Sequence, residues 1–97
     1  MTPPPVLALE IDRRHIYHGI RASRQQCPIA LALWMCPLKP SMVLLHNDSV
    51  DVWINGGQRH TYRLLKSSLD FIGAFDAGFA VRPTVLNLVL EKKVEHG

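Results

Sequence analysis

Cys27-Pro28-Ile29-Ala30-Leu31-Ala32-Leu33-Trp34-Met35 is the one run of the chain that is apolar on every side, and it opens with a helix-start signal. A proline at the first helical position gives up an N–H that has no intrahelical partner anyway, and its fixed φ suits the helix. Cys27 is therefore the expected cap and Pro28 the first turn, with Pro37 and Pro40 marking the end. A helix without a polar face has to be enclosed. The segments on either side of it should wrap it.

Towards the N-terminus, residues 1–5 form a proline-rich lead-in, expected to be a flexible tail. Val6 to Ile11 then alternates as a short strand, with Leu7, Leu9 and Ile11 facing the core and Glu10 outward. Asp12 is a good N-cap for a helix from Arg13 through His18 to about Gly19 or Ile20, whose inner face would carry Ile16 and Ile20. Gly19 either ends this helix or lets it approach a neighbour closely. Residues 21–26 are a polar link.

On the other side, Met42 to Leu45 is an apolar run fit for a buried strand, and His46 to Ser49 supplies turn chemistry. Val50 to Ile54 alternates cleanly and Gln58 to Leu65 returns. The turn between them can be decided by register. A two-residue loop, Gly56-Gly57, would set an apolar row against a polar one. A three-residue loop, Asn55 to Gly57, places Val50 opposite Tyr62 and Val52 opposite His60, with Trp53 opposite Arg59 and Asp51 opposite Thr61 on the other face. Because a one-residue slip turns every side chain over, the odd loop is expected, with a glycine in αL as in a G1-bulge turn. Trp53, Arg59, Thr61 and Arg63 then share the less apolar face.

Ser67 is the expected cap of a last helix with Asp70 three residues on, an apolar face of Leu69, Phe71, Ile72 and Phe75, and Gly78 just past its end. Phe79 to Pro83 crosses over to a closing strand, Thr84 to Leu90. The order β-α-α-β-β-β-α-β argues an α+β fold, a largely antiparallel sheet of four or five strands with two or three helices on one face. Residues 6–91 make a single domain, and 92–97 are expected to fray.

Composition sets further bounds. The chain has 97 residues, 47% of them hydrophobic and 20% charged, which suits one modest core without staples. No apolar run approaches the ~20 residues of a membrane span, and the start, with three prolines and no basic or long apolar region, does not read as a secretory signal. The net charge of +3 permits an acidic partner without demanding one. Cys27 and Cys36 form neither a Cys-x-x-Cys pair nor a disulfide framework, and buried reduced thiols are expected.

Two surfaces stand out as candidate sites. Trp53 with Arg59 and Arg63 has the composition of a protein-interface hot spot, set against a simple surface cation–π pair. Arg13, Arg14, Arg21 and Arg24, with Tyr17 and His18 among them, have the chemistry of a phosphate-contacting surface, since Arg14, His18 and Arg21 would share one face of a continuous helix. The competing account is a solvated helix face. His15, His18, His46 and His60 with Cys27 and Cys36 match no zinc spacing, so neither metal nor other cofactor is expected. Cys27 at a helix N-terminus near basic residues would be an activated thiol. No base or orienting group can be assigned to it, so a plain cap is the reading adopted and no enzyme is expected.

At Asp12…Ile16…Gly19, Cys27-Pro28-Ile29-Ala30-Leu31-Ala32-Leu33 and Phe75-Asp76-Ala77-Gly78…Val81…Pro83, the chain resembles a family of small bacteriophage- and prophage-encoded proteins of unknown function. The similarity covers roughly residues 9 to 88, and it carries no catalytic residue. It implies a cytoplasmic protein of an infected bacterium that acts by binding. The expectation that follows is an accessory protein that binds and inhibits a host or defence-system protein through Trp53, Arg59 and Arg63. The alternative is a nucleic-acid-binding module using the basic helix. An exposed strand edge also points to a homodimer.

Overall fold

The computed structural model describes residues 3–91. Eight elements follow the expected order: β1 (Val6–Ile11), α1 (Arg13–His18), α2 (Pro28–Trp34), β2 (Met42–Leu45), β3 (Ser49–Ile54), β4 (Gln58–Leu64), α3 (Lys66–Asp76) and β5 (Thr84–Leu90). The strands form one antiparallel sheet in the order β1-β5-β4-β3-β2. The fold is α+β, and β1 and β5, the first and last of the described strands, are paired in it.

The core lies on one face of the sheet. Leu9, Ile11, Val43, Leu45, Val50, Val52, Tyr62, Leu64, Leu86 and Leu88 supply its strand side, and Ile29, Ala30, Ala32 and Leu33 of α2 with Ile72 and Phe75 of α3 its helical side. Packing α2 against both β1 and β2, the two edge strands, places this short helix at the centre of the fold. Ile29 and Leu33 are fully buried, while Leu31 and Trp34 are half-covered. The helix ends at Trp34, before Pro37, and Met35 turns out to solvent at 61% exposure. Its start is as the sequence predicts: Cys27 Sγ accepts from the Ala30 N–H at 3.4 Å, with Pro28 in the first turn.

The first helix is shorter than expected. Asp12 caps it, accepting from the N–H groups of Arg14 and His15, and His15 Nδ1 in return accepts from the Asp12 N–H at 3.0 Å. This is a capping box with histidine in the place of the usual Glu or Gln. Gly19 ends the helix in an extended conformation, φ −66° and ψ 143°. It also admits a close neighbour: a Cβ there would stand 2.8 Å from Pro28 Cδ. Ile16 packs on the core, but Ile20 lies beyond the helix and is exposed.

The β3–β4 register is the predicted one, with Val50 opposite Tyr62, Val52 opposite His60 and Trp53 opposite Arg59. The loop has the expected length but another shape. Asn55, Gly56 and Gly57 all take positive φ (50°, 82° and 109°), and Gly57 N–H donates to Ile54 C=O at 3.1 Å. Two positive-φ central residues make a primed turn, whose twist matches that of the strands, in place of a G1-bulge turn with one αL glycine.

Two further expectations are corrected. Leu65, not Ser67, stands at the start of α3 and contributes no side-chain cap. Ser68 is drawn into the core instead, and Lys66 pairs with Asp70 at 2.8 Å on the surface. The proline lead-in is tied down where it meets the sheet: Pro4 C=O accepts from the Tyr62 hydroxyl and Pro5 C=O from the Leu90 N–H. The expected fraying of 92–97 lies outside the described residues.

Candidate functional site

All three helices contribute to the core cluster, which sits on the face of the sheet carrying Val50, Val52, Tyr62 and Leu64. The opposite face is left without a helical layer. The registers lay out its rows. Met42, Trp53 and Arg59 form one row, Leu44, Asp51 and Thr61 the next, and Ser49, Arg63, Val89 and Val6 the third. Trp53, Arg59 and Arg63 thus share the helix-free face, Trp53 and Arg59 in one row and Arg63 two rows away. Trp53 is half-buried, flanked in register by Met42 on β2 and Arg59 on β4, and both arginines are exposed.

The middle row holds a feature that sequence reasoning missed. Asp51 is 8% exposed although it lies on the helix-free face. Its two carboxylate oxygens are taken separately, one by His46 Nε2 at 2.8 Å and one by the Thr61 hydroxyl. Burial pushes the Asp51 carboxyl up, but the hydrogen bonds from Thr61 and His46, with the charge of Arg59 nearby, outweigh it and hold the group below the ordinary carboxylate range. The Asp51–Thr61 half of this network follows from the predicted hairpin register. His46 does not: the polar run His46 to Ser49 marks a turn after β2, but nothing local shows that the imidazole reaches back to Asp51.

A histidine held by a carboxylate is half of a general-base pair. Here the neighbouring hydroxyl of Thr61 donates to the carboxylate rather than to the imidazole, so no nucleophile is activated by the arrangement. It locks β2, β3 and β4 together and fixes the ground on which Trp53 and Arg59 stand.

The basic cluster is not brought together. With α1 ending at His18, Arg14, His18 and Arg21 share no helix face. Arg14 is engaged with Asp12 at 3.0 Å. Arg21 lies over Gly78 after the end of α3, while the Arg24 C=O accepts from the Leu45 N–H. Arg13 and Tyr17 instead line a shallow groove of about 430 Å³ with Ile16, Val81, Arg82 and Pro83. Arg82 was invisible as a partner of Arg13 in the sequence, since only the β1–β5 pairing brings the crossover beside α1.

Cys27 and Cys36 are both free and buried. Burial is the leading influence on each thiol and pushes it up, so the helix N-terminus does not activate Cys27. Among the described residues no group of three or more His, Cys, Asp or Glu converges as a metal site, and no helix is long and apolar enough to cross a membrane. No family model, no curated protein and no solved structure matches the chain.

Proposed function

We propose that the protein acts by binding another protein through the helix-free face of its sheet, with Trp53 as the apolar anchor, Arg59 beside it and Arg63 two rows along the same face. The observation that carries this reading is the row Met42–Trp53–Arg59 on a face that no helix of the fold covers. Tryptophan and arginine are the residues over-represented where binding energy concentrates. The hydrogen-bonded Asp51 in the next row ties the strands together beside the patch, which lowers the entropy lost on association. The resemblance to small phage and prophage proteins supplies the kind of partner: a host or defence-system protein in the bacterial cytoplasm, inhibited by occupation of its surface.

The test is affinity capture from bacterial lysate with the folded chain as bait, beside a Trp53→Ala, Arg59→Glu, Arg63→Glu variant. A stoichiometric partner held by the wild type and lost by the variant is expected. Equal recovery by both, or no partner for either, counts against the reading.

A second reading, nucleic-acid binding, has one observation in its favour: Arg13 and Arg82 flank the groove that Tyr17 borders, with Tyr17 84% exposed. It predicts oligonucleotide binding that weakens steeply with salt and is lost in Arg13→Glu, Arg82→Glu.

A further inference from the structure

The two edges of the sheet differ. At the β2 edge the strand has four residues, and the outward N–H of Leu45 is already taken by Arg24 C=O at 2.8 Å. At the β1 edge the strand has six residues. The register fixes which of its groups are unused. Leu90 N–H donates to Pro5 C=O, so Pro5–Leu90 is a hydrogen-bonded pair, and by alternation so are Leu7–Leu88, Leu9–Leu86 and Ile11–Thr84. The N–H and C=O groups of Val6, Ala8 and Glu10 therefore point away from the sheet, with no partner among the described residues. The edge carries a single charge, Glu10, and neither proline nor lysine within the strand, the usual guards against pairing. Next to it runs a groove of about 380 Å³, bounded on the helical side by Ala32, Met35, Cys36 and Pro37, which leaves room for a strand to approach.

We infer that β1 pairs antiparallel with β1 of a second copy of this chain about a two-fold axis at Ala8. Of the antiparallel registers, the one that sets Ala8 opposite Ala8 also sets Val6 opposite Glu10 at each end. It alone engages the outward groups of all three residues on both strands. It places the smallest side chain of the strand at the axis and keeps the two Glu10 carboxylates apart, opposite Val6 instead of each other. On the core side it gives Leu7, only half-buried in one copy, Leu9 of the second copy as a cross-strand neighbour. Because the other edge is short and partly capped, the pairing closes as an isologous dimer with a ten-strand sheet and does not propagate. The inference is independent of the protein-binding reading above.

The test uses the full chain. Mass measurement over a dilution series is expected to give twice the chain mass at high concentration. Ala8→Pro removes an N–H that serves no bond within the sheet, so the variant is expected to keep the wild-type circular dichroism and to be monomeric throughout. In hydrogen exchange, the Val6, Ala8 and Glu10 amides of the wild type should exchange at least about tenfold more slowly at dimeric than at monomeric concentration. A wild type that stays monomeric at about 0.5 mM overturns the inference and leaves the edge to an extended segment of some other protein. So does a dimer that survives Ala8→Pro. If that variant fails to fold, a dimer whose Ala8 amide is as fast as the monomer's overturns it equally.

Discussion

The two faces of one sheet are built from alternate residues of the same strands, yet they do different work. On the inner face, Val50, Val52 and Tyr62 of β3 and β4 are fully buried against α2 and α3. On the outer face, their immediate neighbours Asp51, Trp53, Thr61 and Arg63 build a polar lock and a half-covered tryptophan. Period-two alternation lets stability and recognition be assigned to separate side chains with no residue between them. Substitutions on the inner face and in the Asp51 lock should therefore change how well the protein folds, and, under the proposed reading, those at Trp53, Arg59 and Arg63 what it binds.

The largest effect that comparison predicts is at Leu33, fully buried where α2 meets the sheet. Leu33→Ala should cost about 2–5 kcal/mol, read as a lower midpoint in urea with an unchanged slope. Asp51→Asn comes next, at about 1–3 kcal/mol, because it disturbs a buried carboxylate with two partners. It also tests the sign of a pH effect. The Asp51 carboxyl lies lower in the fold than in the unfolded chain, so its contribution is complete above about pH 4 and is lost as pH falls through its folded value. The acid limb of the wild-type stability curve should be steeper than that of Asp51→Asn.

Tyr62→Phe is expected to cost about 1 kcal/mol for the lost bond to Pro4 C=O. Burial pushes Tyr62 up to about 12, so its absorbance change should come above the ordinary tyrosine range. Since the Tyr62 value is raised in the fold, the associated stability holds below about pH 10 and is lost as pH climbs through about 12. The smallest effect on folding is at Trp53→Ala, about 0.5–1 kcal/mol, with loss of partner capture. A larger penalty there would mean that the outer face, too, is chiefly structural.

The hairpin was legible in the sequence because register is arithmetic: only a three-residue loop sorts apolar from polar faces between Val50 and Tyr62. The start of α2 was legible for a similar reason, since Cys27-Pro28 leaves the helix one place to begin. Where the reading failed, a tertiary contact outweighed a local signal. Gly19 leaves the helix in an extended conformation with its Cα close against Pro28, and Arg21 therefore shares no helix face with Arg14 and His18. Ser67 has a capping side chain, but the cap position of α3 lies two residues earlier, at Leu65, and the neighbouring Ser68 is buried. His46 and Arg82 became site residues only through tertiary placement: His46 sits in a turn that the sequence marks, but its reach to Asp51 has no local signature, and neither has the approach of Arg82 to α1.

The pairing of β1 with β5 has a consequence for biosynthesis. The two strands lie more than seventy residues apart in the chain, so during synthesis Val6–Ile11 exists long before its neighbour in the sheet. Pairing between segments so distant makes folding slow, and until it forms an apolar strand of the nascent chain waits unpaired, where chaperones would be expected to engage it.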